Sequence, residues 1–498
     1  MIEFKKSVFT YPNKNKIGPI NLVINKGEVH LLAGKSGSGK TSIIRMVNGI
    51  IDNLFEGEKS GEVFIKNKNI SDMTVRELIS SVSSVYQNPK TQFFTDNSTS
   101  ELLFPLENLG YRIDDMEKIL NKVVEVLDIK HLLNRNVLEL SGGEKQILSL
   151  ASTMMMDSDV IVLDEPTSNL DLTNIIKVKE ILKKLKELHK TILISEHRLN
   201  YLKGIVDTVS IIEDGRISRN YTGKEFYNLS DEERKSLNLR CLSKIKEHQN
   251  IKKHISNEML EIKKLRYVVK KKEIINIENL KLYSGRIYFL VGKNGAGKST
   301  FVKSLAGLLK TKEDEVFWKN TKISSKDRLR SSYLVFQNVN SQLFTSSVHE
   351  EIELNNEFKK TDNLLFNLNL LNKKYEHPQS LSGGEKQRVS IAAGIASSRK
   401  IFIADEPTSG MDYTNMMNVC KLLRDYANRD NVVLVISHDL EFISELADEI
   451  LFISNGKIKC HGDINENNIE KIASFLIPKL QYQFVHFLSF LPKYQNLT

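Results

Sequence analysis

The sequence predicts an α/β protein of two tandem domains, each a mainly parallel sheet flanked by helices. Three observations carry this prediction. A glycine-rich loop ending in Lys-Thr or Lys-Ser occurs twice, as GKSGSGKT from Gly34 and GKNGAGKS from Gly292. Each copy is followed, in one order, by a lone Gln (Gln87, Gln337), by LSGGEKQ, by DEPTS and by a His (His197, His438). Each loop, each DEPTS and each His also follows a short continuous apolar run. These runs are residues 29–33 and 287–291 before the loops, 160–163 and 401–404 before DEPTS, and 192–194 and 432–436 before the His residues. Continuous rather than alternating apolar runs mark strands covered on both faces, hence a parallel sheet between helices.

The register of the repeat sets the domain organisation. Ser141, Asp164 and His197 recur 241 residues later as Ser382, Asp405 and His438, whereas Gly34 recurs 258 residues later as Gly292. The second copy is therefore shorter by 17 residues between its loop and LSGGEKQ. A repeat of this kind means two homologous domains rather than a solenoid. They are expected over 1–230 and 256–498, with a connector over 231–255.

Composition excludes several classes. No apolar run reaches the length of a membrane span and MIEFKKSVFTYP has no signal-peptide core, so a cytosolic chain is expected. The three Cys, at 241, 420 and 460, form no CxxC, which argues against zinc, an iron–sulfur cluster or a disulfide framework. The net charge of +9 is local: from Arg234 to Lys272 there are 13 Lys and Arg against 3 Glu, leaving −1 for the rest. The basicity reads as a solvated linker, with anionic lipid or RNA as the alternatives. After Pro478, Leu480, Phe484, Phe487, Leu488 and Leu491 form a helical stripe with only Lys479 and His486 to face anionic lipid. This C-terminal amphipathic helix is expected to pack on the second domain.

The repeated motifs carry phosphate chemistry. Gly34, Lys35, Ser36, Gly37, Ser38 and Gly39, with Gly292, Lys293, Asn294, Gly295, Ala296 and Gly297, form loops whose backbone N–H groups can wrap phosphates at a helix N-terminus. Lys40 and Lys298 suit the β- and γ-phosphates, and Thr41 and Ser299 offer a hydroxyl to Mg²⁺. Asp164 and Asp405 end strands where a carboxylate can hold the metal's shell. Glu165 and Glu406, one residue on, are placed to activate a water. Ser141 and Ser382, each with Glu three residues later, read as capping boxes. Gly142 and Gly143, and Gly383 and Gly384, leave the same N–H groups open to an anion.

Taken together, these motifs resemble the ATP-binding cassette family over nearly the whole chain. The resemblance implies P-loop NTPase domains, each with a helical subdomain, that bind ATP and Mg²⁺ and hydrolyse ATP. It implies that His197 and His438 contact the γ-phosphate, and that Gln87 and Gln337 reach Mg²⁺ and the attacking water. Tyr11 and Tyr267, 23 and 25 residues before the loop glycines, would stack on adenine. Ser141 and Ser382 would each meet the nucleotide held by the other half, making an intrachain pseudo-dimer.

A narrower resemblance follows from the stretches after each Gln. QNPKTQFF with ELLFPLENLG, QNVNSQLF with VHEEIEL, FTYP from Phe9, and SEHRL and SHDLE from Ser195 and Ser437 look like the energy-coupling factor ATPases, which drive vitamin, cobalt and nickel importers. That likeness implies a transmembrane coupling subunit and a substrate-binding membrane subunit as partners, and a peripheral place on the cytoplasmic face of the cell membrane. No nucleic acid is expected. The resemblance places Gln92, Phe93 and Phe94, with Gln342, Leu343 and Phe344, on the short helix that lines the groove receiving the membrane partner's helices; packing of the apolar ones beneath the helical subdomain is the alternative. Val339 stands where the first half has Pro89, and Ile147 where the second has Arg388, so the two sites need not be equivalent. A tandem-cassette translation factor and a fused sugar-importer ATPase are the alternatives. Against the first, SNLD from Ser168 and SGMD from Ser409 replace that group's NHLD. Against the second, both sites are intact where that group usually has one degenerate site.

Overall fold

The computed structural model describes residues 1–168, 170–240, 258–354 and 361–463. The chain divides into two compact units, Met1–Leu242 and Ser243–Thr498. The expectation of a solvated connector over 231–255 is corrected for its start: residues 231–240 belong to the first unit, with Arg234 buried and Leu237 and Leu239 in its core. Residues 241–255 and the apolar stripe after Pro478 lie outside the described residues.

In the first unit the strands are β1 (Ile2–Thr10), β2 (Lys16–Ile24), β3 (Val29–Ala33), β4 (Glu58–Ile65), β5 (Lys68–Asn69), β6 (Val82–Val85), β7 (Val160–Asp164), β8 (Thr191–Ser195), β9 (Thr208–Glu213) and β10 (Arg216–Thr222). They form an antiparallel sheet, β2-β1-β4-β5, and a six-stranded sheet, β10-β9-β3-β8-β7-β6. In the larger sheet every pairing is parallel except that of the edge strand β10. The second unit repeats this plan. Its strands are β11 (Met259–Val269), β12 (Lys272–Tyr283), β13 (Ile287–Val291), β14 (Glu313–Trp318), β15 (Thr321–Lys322), β16 (Ser332–Val335), β17 (Ile401–Asp405), β18 (Val432–Ile436), β19 (Glu449–Ser454) and β20 (Lys457–Asp463). Their orders are β12-β11-β14-β15 and β16-β17-β18-β13-β19-β20.

All six apolar runs are strands of the large sheets, and every residue of β3, β7, β8, β13, β17 and β18 is buried. The period of two in a strand explains why the runs must be continuous. Val29, Leu31 and Ala33 join the core beneath the helices with Ile161, Leu163, Ile192 and Ile194. Leu32, Val160, Val162 and Leu193 face the opposite core with Phe4 and Ile43. Each such aliphatic side chain contributes about 1.5–3 kcal/mol when fully buried. His30 interrupts the first run. Its burial is offset by hydrogen bonds to the Thr208 hydroxyl at 2.7 Å and the Ser210 hydroxyl at 3.0 Å.

A helical layer separates β6 from β7, with helices Ser98–Asn108, Ile113–Leu127 and Gly142–Met155, and β16 from β17, with Val348–Glu353, Thr361–Asn367 and Gly383–Ala396. Here part of the shortening of the second copy falls. Gln87 recurs 250 residues later, so eight of the 17 residues are lost before the Gln and nine after it. Before the Gln, the first half has an added helix, Ile50–Leu54. After it, helices of 11 and 15 residues are matched by helices of 6 and 7.

Candidate active sites

Each phosphate loop is a turn between a central strand and a helix, β3 to Lys40–Val47 and β13 to Lys298–Leu305. Its first glycine is required sterically. A Cβ on Gly34 would lie 2.3 Å from the Ile212 carbonyl oxygen, and one on Gly292 the same distance from that of Ile453. The turn passes through Lys35, Ser36, Gly37 and Ser38 in the first half and Lys293, Asn294, Gly295 and Ala296 in the second. It enters the helix at Gly39 (φ 104°) and Gly297 (φ 100°), a left-handed backbone that β-carbons disfavour. The Lys40 ammonium donates to the carbonyls of Gly34 and Lys35 at 2.9 and 2.8 Å, and Lys298 to those of Gly292 and Lys293 at 2.6 and 3.0 Å. Both ammonium groups are thereby held over their own loops. Among the described residues the buried Ser38 hydroxyl has no hydrogen-bond partner, as suits a group facing a phosphate oxygen. The cradle fits a nucleotide's phosphates.

The acidic pairs end β7 and β17. Thr41 Oγ1 donates to Asp164 at 3.2 Å and Ser299 Oγ to Asp405 at 2.8 Å, so a hydroxyl and a carboxylate converge in each site. Oxygen donors of this kind suit Mg²⁺, which keeps waters and takes phosphate oxygens beside one or two protein ligands. Among the described residues no three His, Cys, Asp or Glu cluster as a metal cage, in keeping with that mode. Burial, then the charge of Glu165, pushes the Asp164 carboxyl above its ordinary range, and burial does the same to Asp405. A cation between hydroxyl and carboxylate would offset that cost.

Glu165 and Glu406 both take a left-handed backbone, with φ of 44° and 52°. Such a conformation costs a non-glycine residue about 1–3 kcal/mol and persists where surrounding structure enforces it. Here the enforcing contacts are the amides of Glu165, donating to the Ser195 carbonyl at 3.0 Å, and of Glu406, donating to that of Ile436 at 2.9 Å. The turn swings each carboxylate off its strand toward the histidine. Glu165 Oε1 lies 3.3 Å from His197 Nε2, and Glu406 Oε1 lies 3.8 Å from His438 Nε2. Gln87 Nε2 donates to Glu165 Oε2 at 2.7 Å. In the second half Glu406 Oε2 accepts from the Ser437 hydroxyl and the His438 amide, both at 3.4 Å, while Gln337 is exposed. Burial raises the Glu165 carboxyl above its ordinary range.

LSGGEKQ forms capping boxes in both halves. The hydroxyls of Ser141 and Ser382 accept from the amides of Glu144 and Glu385, whose carboxylates accept in return from the serine amides at 2.8 Å. Space above Gly142 and Gly383 is open to 4 Å, so the helix N-terminus is approachable there. The second glycines differ. A Cβ on Gly143 would meet the Asn174 side chain at 2.0 Å, whereas one on Gly384 would have its nearest neighbour at 3.6 Å.

Tyr11 is fixed beside the first phosphate loop. Its hydroxyl is 2.9 Å from that of Ser42, on the loop's helix, and its ring packs edge-on against Phe9 and Phe55. Tyr267 sits on β11 opposite Ile275, whose Cγ2 is 3.0 Å from where a Gly297 Cβ would be.

The segments after each Gln divide in a way the sequence does not foretell, and the expectation that these six residues occupy the short helix is corrected: the helical turns are Pro89–Thr91 and Val339–Ser341, and the six residues follow them. Gln92 and Gln342 turn inward, donating to the carbonyls of Ser84 and Leu334 at 2.8 and 3.0 Å. Leu343 is buried and Phe93 packs on the core. Only Phe94 and Phe344 are presented to solvent, at 75% and 73% exposure. Both sit on loops clamped by a buried acid that sequence reasoning missed. Glu101 accepts from the amides of Phe94 and Thr95 at 3.0 and 2.7 Å, and Glu351 from those of Phe344 and Thr345 at 3.0 and 3.1 Å. Their signal was a Glu at matched places in the two motifs, ELLF and EEIEL. A second group missed is Glu196, Arg198 and Tyr201, packed around Thr167 of DEPTS.

Comparison with known proteins agrees with this geometry. Residues 17–168 and 275–409 match the family described as ABC transporter. An ABC transporter ATP-binding protein of Treponema denticola is 38% identical over 92% of this chain and 96% of its own. Another, of Methanosarcina mazei, is 32% identical over 92% and 94%. Among solved structures, the RNase-L inhibitor superposes with a TM-score of 0.64 at 21% identity, covering 94% of this chain and 92% of its own. The archaeal ribosome recycling factor ABCE1, in complex with ribosomal stalk protein aP1, gives 0.65 at 22%, over 94% and 92%. At these identities the structural likeness shows the tandem-domain fold.

Proposed function

Because the chain belongs to the ABC transporter family and is an ATPase with two tandem cassettes, we propose that it powers an importer of the energy-coupling factor class. It would act from the cytoplasmic face of the membrane through a transmembrane coupling subunit, with a separate membrane subunit binding the vitamin or metal-ion cargo. The observation that carries this reading is the matched pair of exposed phenylalanines, Phe94 and Phe344, each seven residues beyond the repeated Gln of its half. Phe94 stacks on Phe104, with ring centroids 5.2 Å apart, so the first half presents a pair of aromatic rings on its clamped loop, and aromatic anchors of this kind are enriched where partners bind.

In this reading the phosphate loops hold ATP through Gly34 to Lys40 and Gly292 to Lys298, with Tyr11 and Tyr267 against the adenine. Thr41, Asp164 and Gln87, and Ser299, Asp405 and Gln337, hold Mg²⁺, which supplies charge neutralisation at the γ-phosphate. Glu165 and Glu406 orient and deprotonate the attacking water, while His197 and His438 donate to the γ-phosphate. Ser141, Gly142 and Gly143, with Ser382, Gly383 and Gly384, complete the site of the opposite half. Described helices include none long and apolar enough to cross a membrane, so membrane attachment is assigned to the partners.

The test is the double variant Phe94→Ser, Phe344→Ser in cells. It is expected to bind ATP as before, to lose most of its co-purification with a membrane protein, and to uncouple uptake from hydrolysis. Unchanged yield of the complex and unchanged transport, or co-purification of the parent chain with ribosomes instead, would overturn the proposal.

A further inference from the structure

The 241-residue register pairs Thr167 with Thr408, Glu196 with Ser437, Arg198 with Asp439 and Tyr201 with Phe442. In the second half the DEPTS threonine is met by the acid after the histidine, Thr408 Oγ1 donating to Asp439 Oδ2 at 3.4 Å. In the first half that position is Arg198, and the acid has moved to the other side of the histidine. Thr167 Oγ1 donates to Glu196 Oε1, which also accepts from the Tyr201 hydroxyl at 3.1 Å. The other oxygen, Oε2, accepts from the amides of His197 at 2.7 Å and Arg198 at 3.3 Å. Arg198 Nη1 donates to the carbonyls of Thr167 and Leu170 at 3.3 and 3.2 Å.

Three of the positions that differ between the halves thus converge on one threonine, and they differ together. The phenol of Tyr201 is present where the acid stands before the histidine; where the acid stands after it, the matching residue is Phe442. A buried carboxylate needs its lone pairs filled, and Glu196, 2% exposed, fills them by joining the DEPTS turn to the backbone of His197. Thr167 lies two residues beyond Glu165, so this tie fixes the base relative to the histidine. Where the tie is made by Glu196 the base–histidine distance is 3.3 Å; where it is made by Asp439 it is 3.8 Å.

We propose that Glu196, with Arg198 and Tyr201, is a positioning residue for hydrolysis in the first site, doing from one side of the histidine what Asp439 does from the other. The proposal rests on the assignment of Glu165 and His197 as the hydrolytic pair. Its experiment uses the full chain carrying Glu406→Gln, so that turnover reports the first site. Glu196→Gln keeps the side chain's volume and is expected to lower kcat about 10-fold or more, the scale of a misplaced catalytic group, with KM for ATP little changed. The triple variant Glu196→Ser, Arg198→Asp, Tyr201→Phe installs the second half's arrangement and is expected to recover most of that loss. Unchanged kcat in Glu196→Gln, or a folded triple variant no faster than it, overturns the proposal. Glu165→Gln and His197→Ala in the same background keep the two ideas apart. If either retains full turnover, the assignment of the hydrolytic pair fails, whatever Glu196 does.

Discussion

In the first half Glu165 stands 3.3 Å from His197 and takes a hydrogen bond from Gln87; in the second Glu406 stands 3.8 Å from His438 and is held by Ser437 and a backbone amide. The motif residues are the same. What differs is the residues beside them, Ser195 and Glu196 against Ile436 and Ser437, and the packing of a shared Asn: a Cβ on Gly143 would meet the Asn174 side chain at 2.0 Å, whereas on Gly384 its nearest neighbour would be the Gly410 carbonyl oxygen at 3.6 Å. Ser195 Oγ donates to Asp164 at 2.5 Å, a contact Ile436 cannot make. Two sites built on the same Glu and His are thus set apart by the residues beside them, and the first holds its acid closer to its histidine.

The largest effect that could break this comparison is loss of both bases. Removing a general base costs about 10²–10⁴-fold at its own site. Glu165→Gln with Glu406→Gln is therefore expected to be nearly inactive in steady-state ATPase assays. Each single variant is expected to lose at least about half of the rate, Glu165→Gln the more. Full activity in one single variant would make its site regulatory, and a larger loss in Glu406→Gln would reverse the ranking drawn from the distances.

A second test asks whether the halves complete each other's sites as proposed. Cysteines at Ser38 and Ser382 report one composite site, and cysteines at Ala296 and Ser141 the other. Both pairs are expected to cross-link within one chain and only with ATP, read as a mobility shift on denaturing gels. A product formed only between two chains would defeat the intrachain arrangement. Cross-linking of one pair alone would place the asymmetry in closure rather than in the base.

Much of the fold was legible because burial on both faces of a strand leaves no room for alternation. Val160, Val162, Ile161 and Leu163 enter two different cores, so all four must be apolar. The capping boxes were legible because Ser141 and Glu144 bond across one helical turn, a purely local event. Glu196 was not, since its partner Thr167, 29 residues back, meets it only once β7 and β8 are paired. Nor could spacing separate Phe94 from Phe93 or Phe344 from Leu343. Which neighbour turns outward is decided by where Glu101 and Glu351 pin the backbone. His30 looked like part of an apolar run because its hydrogen-bond partners lie some 180 residues away, on β9.

The smallest expected effect bears on the cost of the tight first site. Burial raises the Glu165 carboxyl, so the folded state favours its protonated form. The stability this contributes is fully present below the ordinary carboxylate range and is lost as pH rises through the raised value. Above that raised value the charged Glu165 opposes folding, which fits the role of base proposed for it. Glu165→Gln removes the charge while preserving shape and an acceptor for Gln87. Without nucleotide it is expected to raise Tm at pH 7.5 by a few degrees, the shift that about 1 kcal/mol produces in a domain of this length. At pH 4, where the parent's carboxyl is already protonated, the gain should vanish. An equal gain at both pH values would trace it to packing, and a loss at pH 7.5 would mean that Lys40 and Gln87 stabilise the carboxylate more than burial penalises it.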